Sequence, residues 1–257
     1  MILTMKQTET VANKERQFIE YQLFDKTLIK AFRAQNPPLF QFGQLQVNFN
    51  AQLTGGTNIN VQAQINPVCP AGFIENKMSY EKVLEDGSKL SYSKQEFRYY
   101  LDNNCIGLLR FCTKKPKGGL FAFTKTYNYY EMQFRNNFYK IYEIRSRNTG
   151  INCVVYQNEK MVACIERNLK VENYLEHYVI YAEDNVDIDA IFLIACHFDY
   201  CDPDEPKFPL STVVNIKNGC SVVEYRKELL SKYDPNFKKR LLEEFIAKEE
   251  AERNNKQ

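Results

Sequence analysis

Residues 190–196 read Ala-Ile-Phe-Leu-Ile-Ala-Cys, the one long stretch of the chain without a polar side chain. Asp187 and Asp189 precede it, and His197, Asp199, Asp202 and Asp204 follow. A helix apolar on every side needs burial all round, so the rest of the chain has to supply something that encloses it. The run falls well short of the ~18 consecutive apolar residues that suggest a membrane span, and it is too uniformly apolar for a surface helix.

The remainder reads as strands. From Gln44, apolar side chains fall on Leu45, Val47, Phe49, Ala51 and Leu53, with Gln44, Gln46, Asn48, Asn50 and Gln52 between them. After Thr54-Gly55-Gly56-Thr57 the alternation resumes with Ile59, Val61, Ala63 and Ile65, separated by Asn60, Gln62 and Gln64. Period two on both sides of a Gly-Gly turn predicts a β-hairpin with one buried face. The polar face of 44–66 is Asn and Gln without charge. It reads either as a plain solvent face or as a hydrogen-bonding surface for a sugar, a peptide or another strand. A long uncharged edge invites strand addition, so both strands are expected to be paired on their outer sides.

Further strands are expected over 89–93, 96–101, 105–113, 120–126, 127–135, 138–145, 151–156, 160–167 and 178–182. Residues 114–119 and 136–137 join their neighbours as turns. Residues 17–32 suit a strand pair or a short helix, ended by Pro37 and Pro38. Turn signals roughly every ten residues suit a sandwich or barrel, and the lack of long helices between strands argues against a doubly wound fold. At the C-terminus Asp234-Pro235 reads as N-cap and first helical residue. Phe237, Leu241, Leu242, Phe245 and Ile246 then form an apolar stripe, with Glu244/Lys248 and Glu249/Arg253 as i,i+4 pairs. This stripe suits packing on its own domain or pairing of two chains. The expected division is a flexible tail over 1–16, one β domain over 17–225 with its buried helix at about 186–198, and a C-terminal helix in 226–257.

Composition narrows the function classes. The net charge of +2, from 34 basic and 32 acidic residues, is far from the basic excess of a nucleic-acid binder. The eight cysteines include no Cys-x-x-Cys pair, and with no signal-peptide pattern at the start they read as reduced thiols. The expected location is the cytoplasm or its membrane surface. No Gly-x-Ser-x-Gly, phosphate-loop or His-Glu-x-x-His motif is present, so no catalytic residue, metal ligand or cofactor is assigned. An enzyme of unrecognised type would use Cys196 and His197, beside Asp199, Cys201 and Asp202. The competing reading of that cluster is a helix C-terminus leaving the core. The segment at 202–205 lacks the glycine and spacing of a calcium loop. Lys114, Lys115 and Lys117, with Lys125 nearby, are the candidate anion site. Basic residues near an anionic membrane contribute about 1 kcal/mol each, and the alternative is a solvated loop.

Four segments carry a family resemblance: Tyr139-Lys-Ile-Tyr-Glu-Ile-Arg145, Val154-Val-Tyr-Gln-Asn-Glu-Lys-Met-Val-Ala-Cys-Ile-Glu-Arg167, Tyr178-Val-Ile-Tyr-Ala-Glu-Asp184 and Asp187-Ile-Asp-Ala-Ile-Phe-Leu-Ile-Ala-Cys-His-Phe-Asp199. Strand meander, Asp-rich lead-in and apolar helix in this order resemble the tubby C-terminal-like superfamily, which includes LURP-one-related proteins and phospholipid scramblases. The resemblance covers under half of the chain. It implies a closed, largely antiparallel β-barrel threaded by a hydrophobic helix, and a non-enzymatic role. Binding of anionic lipid headgroups or a protein partner would follow from it. The lysines do not align onto that family's phosphate-binding residues. A β-sandwich with the helix at one end is the rival architecture.

Overall fold

The computed structural model describes residues 1–7, 18–23, 26–33, 48–118, 126–144, 151–167, 177–201, 212–217, 220–225 and 227–254. The strands are β1 (Ile2–Gln7), β2 (Phe18–Leu23), β3 (Lys26–Arg33), β4 (Asn48–Gln52), β5 (Asn58–Ile65), β6 (Ile74–Glu75), β7 (Ser79–Val83), β8 (Lys89–Leu101), β9 (Asn104–Lys115), β10 (Tyr127–Phe134), β11 (Asn137–Glu143), β12 (Ile151–Gln157), β13 (Lys160–Arg167), β14 (His177–Ala182), β15 (Thr212–Lys217) and β16 (Cys220–Tyr225). The helices are α1 (Ile188–Cys201), α2 (Lys227–Leu230) and α3 (Pro235–Asn254). The chain is mainly β. One antiparallel sheet runs β5-β4-β3-β2-β1-β14-β13-β12-β11-β10-β9-β8-β7-β6, and β15 pairs with β16. β5 has β8 as a second neighbour.

The alternating segment forms the expected hairpin. Asn50 lies opposite Asn60 and Ala51 opposite Ile59, and Ala51, Leu53, Ile59 and Val61 are buried. Leu53 N–H donates to Thr57 O at 2.7 Å across the turn. The turn needs its glycines, because φ is +83° at Gly55 and +84° at Gly56, a region that costs other residues energy. Both strands are paired on their outer sides, β4 by β3 and β5 by β8. Residues 44–47 lie outside the described residues.

Three expectations change. The tail of 1–16 is not loose over its first residues, because Ile2–Gln7 is a strand between β14 and β2. Leu3 and Met5 are buried on one of its faces, a two-residue pattern too short to stand out beside the polar residues after it. Residues 8–16 lie outside the described residues. The segments 89–93 and 96–101 are one strand that changes neighbour along its edge. Ser79–Val83 pairs with its first half and Asn60–Ile65 with its second, and at the hand-over Lys94 O accepts from Asn66 N–H at 2.8 Å. The loop expected at 114–119 starts later, because β9 runs through Lys115 and pairs with β10, placing Lys114 opposite Tyr127. Residues 119–125 lie outside the described residues. The 17–32 segment is the strand pair β2–β3.

Helix α1 starts where Asp187 caps it. The Asp187 carboxylate accepts from the N–H of Asp189 at 3.0 Å and of Ala190 at 3.4 Å, satisfying donors that the first turn leaves free. Every residue from Ala190 to Phe198 is at most 3% exposed. They form one cluster with apolar side chains of the sheet, among them Leu3, Val61, Tyr99, Met132, Ile165 and Ile180. Burying one large apolar side chain stabilises by about 1.5–3 kcal/mol, so Ile191, Phe192, Leu193, Ile194 and Phe198 together make α1 a main stabiliser of the fold.

The alternate side chains of the same strands form a second cluster on the other face, with Cys112, Tyr142, Val154 and Cys164 against Leu229, Phe237 and Leu241. β12 divides cleanly: Val155 joins the α1 cluster and Val154 the α3 cluster. The C-terminal stripe is thus used within its own chain, which leaves Ile246 54% exposed. Asp234 caps α3 through Asn236 N–H at 2.9 Å. Lys238 bonds Glu166 at 2.8 Å and Arg240 bonds Glu183 at 2.8 Å. The expected Glu244/Lys248 pair is shared: the Glu244 charge still acts on Lys248, while Lys248 bonds Asp184 and Glu244 lies 3.6 Å from Arg240. The Glu249 side chain lies outside the described set.

Candidate functional site

The reactive-looking residues end up in the interior. His197 sits near the end of α1, with ring centroids of Phe97 at 4.5 Å, Tyr130 at 5.2 Å and Phe198 at 5.5 Å. Burial alone pushes its imidazole down to about 3, because water cannot solvate the cation there. At neutral pH it is an uncharged ring packed among aromatics, not a base poised near 7. Cys196 is wholly buried beside it. The side chains of Asp199 and Cys201, and residues 202–205, lie outside the described residues. Among the described residues no group of three or more His, Cys, Asp or Glu side chains is placed to hold a metal.

The two aspartates at the start of α1, Asp187 before it and Asp189 in its first turn, have a structural role. Asp189 Oδ1 accepts from Thr54 N–H and Thr54 Oγ1, each at 2.9 Å. Arg135 donates to Asp189 Oδ2 at 2.9 Å and to Asp187 Oδ2 at 3.0 Å. The start of α1 is thus clamped to the β4–β5 turn and the β10–β11 turn. The Asp189 side chain is 3% exposed and that of Arg135 45%. The sequence marked the aspartates and gave no sign of their partners.

The candidate anion-binding lysines come out as follows. Lys114 and Lys115 are on strand β9, Lys117 follows it, and Lys125 lies outside the described residues. Lys114 Nζ is 3.9 Å from Asp86 Oδ2, and the Lys117 stem lies over Gly87. Hydrogen bonds from Ser88 hold the Asp86 carboxyl below its usual range. Glu81 is also held low, by its hydrogen bond from Lys89 and then by the charges of Lys89 and Lys115. Lys114 and Lys115 therefore face carboxylates of the β7–β8 hairpin, which offset part of the field that an anion would feel there.

The Asn/Gln face is different. Asn58, Asn60, Gln62 and Gln64 of β5, with Asn50 of β4 and Tyr100 of β8, line an open groove of about 730 Å³. Asp102 and Asn103 stand at the β8–β9 turn beside it. Both turn residues have positive φ, +47° and +66°, the hairpin conformation that Asp and Asn tolerate best. The amides are tied in a row. Gln64 donates to Gln62 at 3.4 Å, Gln62 to Asn60 at 2.6 Å, and Asn60 to Asn50 at 2.8 Å. Tyr100 is opposite Asn60 in the β5–β8 register. Sequence reasoning found the amides but missed Tyr100, Asp102 and Asn103, because only the β5–β8 pairing, between strands far apart in the chain, brings them together.

No family model, curated protein or solved structure matches the chain. Among the described residues no helix is long and apolar enough to cross a membrane.

Proposed function

We propose that this chain is a non-enzymatic binding protein of the tubby C-terminal-like kind, with β1–β5 and β8–β14 as a closed barrel around α1, acting in the cytoplasm or at its membrane surface. Two facts support the architecture. The β5–β8 pairing, six residue pairs long, joins strands that otherwise stand far apart in the strand order, and residues 190–198 of α1 are buried without a break. In such a barrel Cys196 and His197 belong to the interior, and binding falls to the face turned away from α1. The observation that carries the function is the amide groove on β4, β5 and β8, which favours a protein partner. A photoreactive side chain in place of Gln62 should give one discrete cross-linked polypeptide in cells, while one in place of Lys239, an α3 side chain 74% exposed, should not. Identical adducts at both positions, or none at 62, refutes the reading.

A second reading, contact with anionic lipid headgroups, is favoured by one observation. The β6–β7 region exposes Val68, Ile74, Met78 and Val83 at 60–76%, and Val83 lies opposite Lys89, which lies opposite Lys115. Flotation with vesicles containing or lacking phosphatidylserine, at low and moderate salt, tests it; absence of binding in every condition removes it.

A further inference from the structure

We propose that the amide groove takes an extended peptide segment of the partner, laid along β5 and held by its backbone, an inference that rests on the binding reading above. Side chains on one face of a strand repeat every two residues, about 6.8 Å. Asn58, Asn60, Gln62 and Gln64 follow that repeat on β5. An extended peptide presents its N–H and C=O groups to one side with the same period. A carboxamide is itself a peptide-like group, with two donors and an acceptor oxygen of two lone pairs. Each side-chain amide of the row can therefore form two parallel bonds with one backbone unit of the guest.

The row is set in advance for this. Asn60 and Gln62 each donate one N–H to a neighbour and accept one hydrogen bond, which leaves each with one N–H and one lone pair to offer. Holding the amides in fixed orientations lowers the ordering cost of binding. Strand addition, the usual way to capture an extended peptide, is unavailable here, because both edges of β5 are occupied by β4 and β8. A guest must lie on the side chains instead. From Asn58 to Gln64 the row accommodates about six residues of extended chain.

Charge selects the guest further. Among the described residues Asp102 is the one charged side chain lining the groove; Arg98, opposite Gln62 at its margin, is paired with Glu96 at 2.6 Å. Asp102 is exposed, and no ion pair among the described residues reaches it. The guest is therefore uncharged along its length and carries a cation, a Lys, an Arg or a free amino terminus, at the β8–β9 end.

The test is to pan a displayed library of random heptapeptides on the full chain and titrate synthetic copies of the enriched sequences by fluorescence anisotropy. Enriched peptides should carry a basic residue at one end. N-methylation of alternate backbone amides should weaken binding about tenfold, the scale of one or two lost hydrogen bonds, whereas methylation of the intervening amides should have little effect. Asn60→Ala and Gln62→Ala should each weaken binding by a similar factor, and Asp102→Asn should remove the basic preference while leaving the unmodified fold. Peptides that bind equally well to all three variants would overturn the groove as the peptide site, and the cross-link at position 62 then decides separately whether the groove binds a folded partner. Binding of neutral oligosaccharides at the groove in place of peptides would overturn the peptide assignment. Absence of binding to peptides, oligosaccharides and vesicles alike overturns both.

Discussion

The buried imidazole of His197 should make the protein lose stability on mild acidification. Burial lowers its pKa from 6.5 to about 3, so between those values the unfolded chain binds a proton that the folded chain refuses. Stability therefore falls as pH drops below 6.5 and continues to fall toward 3, by up to about 1.4 kcal/mol per pH unit. From pH 7 to pH 5 the linkage integral is about 2 kcal/mol. That figure barely depends on the folded value, since any pKa well below 5 gives the same answer. The assay is urea unfolding of the wild type and of His197→Phe at pH 7 and pH 5. The substitution keeps a ring among Phe97, Tyr130 and Phe198 and removes the titration. Each protein's pH 7 value serves as its own reference, so the cost of the substitution itself cancels, as do carboxylates common to both. The wild type should lose about 2 kcal/mol more than the variant. Superimposable losses would mean that the folded imidazole ionises normally. The interior placement of His197 would then be wrong, and a catalytic role for Cys196 and His197 would return.

Asp189→Ala removes the acceptor of both Thr54 bonds and one Arg135 bond, while Arg135 stays partly exposed and keeps Asp187, and should destabilise by about 1–3 kcal/mol in thermal or urea unfolding; no measurable loss would deny the clamp. Phe237→Ala should cost about 3–5 kcal/mol and raise hydrogen exchange in α3 more than in α1, whereas uniform deprotection would mean that the two faces do not separate energetically. Docking of α3 should weaken in acid. Burial raises the Glu183 carboxyl, but hydrogen bonds from Arg240 and Lys160 outweigh it and leave the pKa lowered, and the hydrogen bond from Lys248 lowers that of Asp184. For carboxylates held low, the stabilisation is complete above their ordinary values of 4.5 and 3.8 and is lost as pH falls through the lowered ones. Protection factors in α3, which divide out the slower intrinsic exchange in acid, should therefore fall below about pH 4 in the wild type and change less in Arg240→Ala.

Local pattern carried most of the strands. The alternation of 48–65 lies within the elements it specifies, so short-range chemistry decides them. Asp234 and Pro235 mark the start of α3 for the same reason. The turn expected at 136–137 falls one residue earlier, at 135–136, because Phe134 pairs with Asn137. What was not legible depends on pairing between distant segments. β1 is a strand because β14 and β2 flank it. Lys114 and Lys115 prolong β9 because β10 and β8 flank them, although Pro116 and Gly118 advertise a loop. The groove shows the same division: its amides are written into one hairpin, while Tyr100 and Asp102 reach it through the β5–β8 ladder. Arg135 is likewise an ordinary turn residue in the sequence, and acquires a role only when α1 begins next to it.

The neighbours of β1 also set an order of events. Ile2 pairs with Tyr181 and Lys6 with His177, so the first strand made waits for one of the last. At synthesis rates of roughly 5–20 residues per second, that interval is on the order of ten to thirty seconds. Throughout it Leu3 and Met5 of β1, and Ala51, Ile59 and Val61 of β4 and β5, lack the helix they later pack against, since α1 follows β14 in the chain. The molecule is thus committed to late, nearly simultaneous completion of its β1–β14 pairing and its α1 core, and the time spent with its early strands uncovered on the ribosome sets its exposure to aggregation.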